Sequence, residues 1–176
     1  VILHLYSGQR REGDFQYWYE HFTAPDDTST YVLSIDIANN ATTVDLTNWD
    51  TVNFWLDQMA KGRVAAVLAG PPCETWSAVR FRKILDVAAS KTRHPPRPVR
   101  SREQPWGLPH LSQKEYDQID IGNQLLRVTI LFIYAAITYH MPAIMEHPST
   151  ANDHRRAPSS WLLPELRHVQ DLPAVT

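Results

Sequence analysis

The chain of 176 residues contains a single cysteine, Cys73. One cysteine can form neither an intramolecular disulfide nor a Cys-rich zinc site, and this composition favours an intracellular protein. The histidines His140, His147 and His154 lack the spacing of metal ligands. We therefore expect no metal site.

Neither sign of charge dominates, since the formal net charge is −2. The molecule as a whole is not a polycation, so any contact with nucleic acid has to come from a local patch. The longest apolar stretch, Leu125 to Tyr139, contains Arg127 and is shorter than the ~20 residues that cross a bilayer. This stretch predicts a buried helix rather than a membrane span. The first residues, Val1 to Tyr6, are too short and too uncharged for a secretory signal.

The hydrophobic share of 43% suits one compact α/β domain. Short apolar runs that end at turn residues or acids predict parallel strands. These predicted strands are Val1 to Tyr6, Tyr31 to Asp36, Thr43 to Leu46, Val64 to Ala69 and Ala143 to Glu146.

Stretches with helical spacing or capping residues separate the predicted strands. They are Phe15 to Phe22, Asn48 to Lys61 with Gly62 as the stop, Trp76 to Ala89, Gln113 to Tyr139 and Trp161 to Val169. Alternation of strands and helices predicts an open, mainly parallel sheet with helices on both faces.

One segment differs from the rest in charge: eight Lys or Arg and the single acid Asp86 lie between Arg80 and Arg102. The segment 92–112 is rich in proline and arginine and lacks apolar periodicity up to His110, which predicts a long surface loop. Such a loop is either a solvated surface or an arm that meets phosphates. The candidate nucleic-acid-binding residues are Arg80, Arg82, Lys83, Arg93, Arg97, Arg100 and Arg102.

Unusual polar residues follow the predicted strands, where ligands bind in open parallel sheets. Asp36 could accept ribose hydroxyls or merely cap a loop. Cys73 lies between a strand and a predicted helix, whose N-terminus would favour the thiolate, but it could also be a small buried side chain. Glu146 could deliver a proton if it is partly buried, or form an ordinary salt bridge. The glycines Gly8 and Gly13 let a backbone loop approach a ligand.

Several of these residues belong to short motifs that follow one another along the chain. An aromatic residue precedes a glycine turn in Leu5 to Gly8, an acid ends Ser34 to Ile37, and Asp45 lies within Val44 to Thr47. Residues 69–77 read Ala-Gly-Pro-Pro-Cys-Glu-Thr-Trp-Ser, and a long apolar helix is followed by Glu146-His147-Pro148. In this order the motifs resemble those of the cytosine-5 DNA methyltransferase family, which reads Pro-Cys-Gln-x-Phe-Ser and then Glu-Asn-Val or Glu-Asn-Pro.

The resemblance implies a Rossmann-like S-adenosylmethionine methyltransferase fold that lacks its last strands and the target-recognition region. Residues 1–150 would form the cofactor and catalytic domain, and 151–176 an extension of it. Cys73 would add to C6 of a flipped-out cytosine while Glu146 binds and protonates N3, with Ser77 in the same catalytic motif. The cofactor residues would be Tyr6, Ser7, Gly8, Gly13, Asp36 at the ribose, Ile37 beside adenine, Asp45 at the adenine amino group, Leu46 and Pro71.

The partner implied by the resemblance is nucleic acid, with DNA favoured over RNA, which suggests a nuclear or nucleoid location. Other segments or subunits would complete the domain. The alternative is a non-catalytic module that docks to nucleic acid or protein, and the replacement of family residues by Glu74 and His147 favours it. A third interpretation is a hydrolase that pairs Cys73 with His147 or His140, although no oxyanion-hole sequence supports it.

Overall fold

The computed structural model of the chain describes residues 1–23, 30–39, 44–81, 96–148 and 158–171. Within these ranges four parallel strands form one sheet with the order β2-β1-β3-β4. The strands are β1 (Ile2–Leu5), β2 (Val32–Ile35), β3 (Ala66–Ala69) and β4 (Ala143–Met145). The predicted parallel α/β architecture is therefore present.

The strand register places the functional candidates at one edge of the sheet. Leu5 pairs with Ile35 and Ala69, and Ala69 pairs with Met145. The residues that follow the four strands consequently emerge at the same edge. The chain runs from β1 to β2 on one side of β1 and then crosses to β3 on the other side. In open parallel sheets, ligands bind at such a reversal of strand order.

Four α-helices accompany the sheet in the described ranges: α1 (Phe15–Phe22), α2 (Trp49–Ala60), α3 (Gln113–Thr138) and α4 (Pro164–Asp171). Two short 3-10 turns, Ala78–Phe81 and Ser160–Leu162, lie between them. The helix starts follow from their sequence, since Asp14 caps α1 through a 2.7 Å bond from the Tyr17 amide. Asn48 caps α2 in the same way, and Ser112 and Glu115 form a capping box before α3.

The helices cover both faces of the sheet. Leu3 and Leu5 pack in the main core with Met59 of α2 and Phe132 of α3. His4, which alternates with them along β1, contacts Phe15 of α1 with ring centroids 5.5 Å apart, so α1 covers the opposite face.

Helix α3 is long and apolar enough to cross a membrane by length and composition alone, but 50% of its most apolar window is buried inside the protein. One side of α3 faces the main core, and another packs in a second cluster of Trp76, Leu126, Ile130, Leu163 and Leu166. The predicted helix is therefore present, and its packing on two sides accounts for much of its apolar composition.

Three sequence predictions about secondary structure are wrong. Residues 44–46 are not a strand, because Asp45 accepts hydrogen bonds from the amide and hydroxyl of Thr47 and turns the chain. The predicted α-helix from Trp76 is replaced over Ala78–Phe81 by a 3-10 turn, and residues 82–89 lie outside the described ranges. The segment 92–112 is not a surface loop at Val99 and Arg100, which are fully buried.

Candidate functional site

A cleft of about 590 Å³ opens at the strand-end edge of the sheet. Ligand clefts in proteins typically span about 300–1,000 Å³, so this one can hold a nucleoside-sized molecule. The ends of β1 and β2, the turn after residue 44, the start of the Cys73 loop and α3 contribute its walls. The lining residues are Tyr6, Ile35, Asp36, Ile37, Val44, Asp45, Leu46, Thr47, Pro72, Ile121, Gln124 and Leu125.

Asp36 joins the loops that follow β1 and β2. One carboxylate oxygen accepts a 2.9 Å hydrogen bond from the Gly8 amide, and the other accepts a 2.8 Å bond from the Ala38 amide. Gly8 has a φ of 72°, a conformation that side chains disfavour. Each carboxylate oxygen can accept a second bond, so Asp36 can cap this loop and still accept ligand hydroxyls.

Asn39 fixes the other side of the same loop. Its side-chain amide donates to the Gly8 carbonyl at 3.0 Å and to the Ser7 hydroxyl at 3.3 Å, and its oxygen accepts from the Arg10 amide. Asn39 therefore holds the loop after β1 through three hydrogen bonds, and fixed loop geometry favours ligand binding.

Asp45 lies across the cleft from the β1 loop and is held by its own turn. Its Oδ1 accepts from the Thr47 amide at 2.8 Å and from the Thr47 hydroxyl at 2.6 Å. The Thr47 carbonyl in turn accepts a 2.7 Å bond from Gln124 of α3. Only one carboxylate oxygen is used in these bonds, so Oδ2 can accept a hydrogen bond from a ligand amino group.

Tyr6 forms the floor of the cleft at the end of β1. Its φ of 61° is uncommon for a bulky residue and often marks a functional position. The phenol donates to the Leu125 carbonyl at 2.9 Å and accepts from the Thr129 hydroxyl at 3.1 Å, and burial raises the pKa of Tyr6 above its ordinary range. These bonds fix β1 to α3 beneath the cleft.

The charge of the cleft is one-sided. Among the described lining residues Asp36 and Asp45 are acidic, and none is Lys, Arg or His. Phosphate groups are normally held by cations or by a glycine-rich helix start, and the described residues of the lining provide neither. The cleft is suited to a nucleoside without phosphates, preferably one that carries positive charge.

Cys73 begins a turn directly after Pro72, which lines the cleft. The Trp76 amide donates to the Cys73 carbonyl at 2.9 Å, and the Cys73 side chain is partly buried. The α-helix N-terminus expected behind the sulfur is not present, since the only helical turn following within residues 74–81 is the 3-10 segment Ala78–Phe81. Ser77 lies directly after the turn.

Glu146 follows β4 beside the Cys73 loop. Its amide donates to the Ala69 carbonyl at 2.9 Å, which extends the sheet by one residue. A Cβ atom at Gly70 would lie 3.9 Å from Glu146 Oε2, so the carboxylate lies close to the backbone of residue 70. The Glu146 side chain is exposed, so the partial burial considered as one alternative from the sequence is not present, and it forms no ion pair within the described ranges.

His147, next in the chain, points into the protein interior. Its Nδ1 shares a 2.6 Å hydrogen bond with the Ser160 hydroxyl, and its carbonyl accepts from the Trp161 indole at 3.2 Å. Burial, with a smaller contribution from the positive charge of Arg100, lowers the pKa of His147 to about 4. A buried, neutral His147 bonded to Ser160 gives no support to a Cys–His hydrolase.

Three of the predicted nucleic-acid-binding arginines make contacts within the protein, and of these Arg97 stays exposed. Arg97 forms two 2.6 Å bonds to the Glu115 carboxylate, and Arg80 donates to the Glu74 and Arg97 carbonyls. Arg100 is fully buried and cannot reach a phosphate in this conformation, which corrects its placement on a surface loop. Arg102 is exposed, and Arg82, Lys83 and Arg93 lie outside the described residues.

The structure brings five of the nine predicted cofactor residues to the cleft lining, namely Tyr6, Asp36, Ile37, Asp45 and Leu46. Ser7 and Gly8 belong to the loop behind Asp36, whereas Gly13 and Pro71 are not in the lining. The lining residues that were not predicted as cofactor residues are Ile35, Val44, Thr47, Pro72, Ile121, Gln124 and Leu125. Pro72 lies within the Cys73 motif, but no sequence pattern marks which side of α3 faces the cleft.

The described residues contain no group of three or more His, Cys, Asp or Glu side chains that could hold a metal ion. Comparisons with models of protein families, with curated proteins and with solved structures found no match.

Proposed function

We propose that the chain binds S-adenosylmethionine in the acidic cleft and transfers its methyl group to C5 of cytosine in DNA. The observation that carries the proposal is the pair Asp36 and Asp45 facing one apolar-walled cleft without a cation in its described lining. S-adenosylmethionine is a nucleoside without phosphates, and its sulfonium and ammonium charges outweigh its single carboxylate, so its net positive charge suits this lining.

The lining also offers a specific place for each part of such a ligand. Asp36 would accept the ribose hydroxyls through its remaining lone pairs, and Asp45 Oδ2 would accept a bond from the adenine amino group. Ile37 and Ile121, both exposed, would be covered by the base, which contributes apolar burial to binding. When bound, the cofactor supplies an electrophilic methyl group.

The protein residues proposed for the chemistry lie at the ends of neighbouring strands. Cys73 follows β3 and Glu146 follows β4, and these strands pair Ala69 with Met145. The Cys73 thiolate would form a bond to C6 while Glu146 gives a proton to N3, which makes C5 nucleophilic. After methylation, loss of the C5 proton and of the thiolate, with return of the N3 proton to Glu146, restores the aromatic ring and frees Cys73.

Trapping a covalent adduct tests this reaction. The chain is incubated with S-adenosylmethionine and a DNA duplex containing 5-fluorocytosine, whose fluorine cannot leave as a cation, and the product is analysed by mass spectrometry. We expect an adduct that maps to Cys73 and is absent with Cys73→Ser. Methylation that persists in Cys73→Ser would contradict the covalent mechanism.

A specific observation favours a second candidate, a non-catalytic module that docks to nucleic acid or protein. Arg80, Arg97 and Arg100 are used in internal contacts, so the described part of the basic segment offers few free cations for DNA. This candidate predicts that no covalent adduct forms, whether or not the chain binds S-adenosylmethionine. The alternative would be preferred if the folded chain gave no adduct at any ratio of DNA to protein.

A further inference from the structure

We propose that Arg100 is a positioning residue that holds the Cys73 turn against α3, so that its guanidinium sets the place of the candidate nucleophile. The assignment of a catalytic purpose rests on the proposed function, whereas the physical claim about the turn does not. No sequence motif indicated this role, since Arg100 was expected to face nucleic acid.

Arg100 contacts two of the three residues that follow Cys73. Its Nε donates to the Thr75 hydroxyl at 2.9 Å, and its guanidinium carbon lies 4.3 Å from the centroid of the Trp76 ring. The Trp76 amide closes the turn on the Cys73 carbonyl. A displacement of Thr75 and Trp76 would therefore be passed directly to Cys73.

The other side of the guanidinium is fixed to α3 and to the segment before it. Nη1 donates to Asn123 at 2.6 Å and to the Pro105 carbonyl at 2.7 Å. Asn123 is itself oriented by its 2.9 Å bond to the Trp106 carbonyl. Arg100 thus joins the Cys73 turn to a rigid helix through a planar group with several donors, an arrangement that lysine cannot reproduce.

Helix α3 is shaped to receive this side chain. Gly122 lies in the interior of the continuous helix α3, where glycine is unfavourable relative to alanine. A Cβ atom there would lie 3.3 Å from Arg100 Nη2 and 3.5 Å from the Thr75 hydroxyl. The glycine leaves room for the guanidinium and for the turn that it holds.

The electrostatics of Arg100 also argue against a role in stability alone. Burial, and then repulsion by Arg80, lower the pKa of Arg100 to about 10. None of the ion pairs within the described ranges includes this side chain. A buried charge without an opposite charge is costly, and apolar packing would stabilise this position more simply. A fixed hydrogen-bond geometry for the turn is the gain that offsets this cost.

Glu74, the remaining residue of the turn, is held by contacts that do not involve Arg100. Arg80 Nε donates to the Glu74 carbonyl at 2.7 Å, and Gln118 of α3 donates to the Glu74 carboxylate at 2.9 Å. These bonds are exposed, whereas the Arg100 contacts are buried. Water competes for the exposed bonds, so we expect Arg100 to contribute most to holding the turn.

Alkylation of Cys73 by iodoacetamide measures the placement of the turn, because Cys73 is the only thiol of the chain. We expect Arg100→Met to raise the alkylation rate of the folded protein at least about tenfold, through local opening of the turn. Arg100→Lys should give an intermediate rate. Thr75→Val removes the hydroxyl that accepts from Arg100 and keeps the side-chain shape, so it should also raise the alkylation rate. This variant provides the test if Arg100→Met does not fold.

The matched control is Met59→Ala, which removes buried packing in the main core away from the turn. It lowers global stability, which is measured for every variant by urea unfolding, but should leave the alkylation rate nearly unchanged.

In Arg100→Ala, millimolar guanidinium should slow the alkylation again, because the ion can occupy the vacated site. The proposal would be overturned if Arg100→Met and Thr75→Val were alkylated no faster than a Met59→Ala variant of similar stability.

Binding of S-adenosylmethionine in the same variants separates this inference from the proposed function. We expect the affinity of Arg100→Met to match that of the unmodified chain, since Arg100 does not line the cleft. If the adduct forms in the unmodified chain, Arg100→Met should slow its formation without weakening cofactor binding. Absence of cofactor binding in the unmodified chain would contradict the proposed function alone, because the alkylation result does not depend on it.

Discussion

The carboxylate of Asp36 accepts a hydrogen bond from the Gly8 amide at 2.9 Å, although 28 residues separate the two positions in the chain. This bond joins the loops after two adjacent parallel strands and defines one wall of the cleft. An acid at this position can have both roles considered from the sequence, capping a loop and accepting a ligand, because each carboxylate oxygen has a second lone pair.

Replacement of Asp36 by asparagine should weaken cofactor binding. The amide nitrogen of Asp36→Asn faces either the Gly8 amide or the Ala38 amide, donor against donor, and it can no longer accept a hydrogen bond from the ligand. We expect the dissociation constant for S-adenosylmethionine to rise at least about tenfold, or about 1.4 kcal/mol, measured by calorimetry. Asp117→Asn, which changes an exposed carboxylate of α3 outside the cleft lining, should bind like the unmodified chain. An unchanged affinity in Asp36→Asn would place the ligand elsewhere.

Removal of the Tyr6 hydroxyl should destabilise the fold. Tyr6→Phe loses the bond to the Leu125 carbonyl and leaves the Thr129 hydroxyl with one partner fewer. We expect the free energy of unfolding to fall by about 1 kcal/mol, as for a typical buried hydrogen bond, measured by urea denaturation. Tyr139→Phe, at an exposed position, should have almost no effect. Equal stability of the two variants would refute the anchoring role of Tyr6.

Much of the sheet could be predicted from the sequence because its strands are short apolar runs that end at turn residues. The predictions failed where local hydrogen bonds compete with the pattern, as at Asp45 and Thr47, whose mutual bonds turn the chain. The sequence also pointed to the acids of the cleft, since Asp36 follows an apolar run and Asp45 belongs to a motif that resembles one of the methyltransferase family.

The position of Arg100 could not be predicted from the sequence. Its neighbours are proline, arginine and serine, a composition typical of exposed loops, and the residues that bury it lie far away in the chain. Thr75 and Asn123 are 25 and 23 residues distant from it. The side of α3 that contributes Ile121 and Gln124 to the cleft was equally hidden, because the helix is apolar on two sides.

Gly122→Ala should destabilise the protein, although replacing glycine by alanine inside a helix usually stabilises it. Alanine in a helix interior is normally favoured over glycine by about 1 kcal/mol. Here the added methyl group would crowd a guanidinium that is held by several bonds, so we expect a loss of stability in urea unfolding. In the Arg100→Met background the clash is relieved, and Gly122→Ala should then be neutral or stabilising. A stabilising Gly122→Ala in the unmodified chain would show that the guanidinium moves freely.

The stability of the protein should fall as the pH decreases from about 6.5 to 4. Burial lowers the pKa of His147 to about 4, so across this window the unfolded chain binds a proton that the folded chain does not. Up to about 3 kcal/mol of unfolding free energy should be lost in this way. His4, whose pKa burial also lowers, contributes with the same sign.

The contribution of His147 can be isolated by comparing variants. His147→Gln keeps a partner for Ser160 and removes the titration, so its stability should depend less steeply on pH between 6.5 and 4. His21→Gln, at an exposed position, should keep the full slope. Identical slopes in both variants, measured by urea unfolding at several pH values, would argue against a buried, neutral His147.

Calorimetric titration of the unmodified chain with S-adenosylmethionine, S-adenosylhomocysteine and ATP tests the central claim most directly. The acidic cleft without a cation in its described lining predicts saturable binding of the first two ligands and no binding of the triphosphate. Binding of ATP in preference to S-adenosylmethionine, or binding of none of the three by the folded chain, would contradict it.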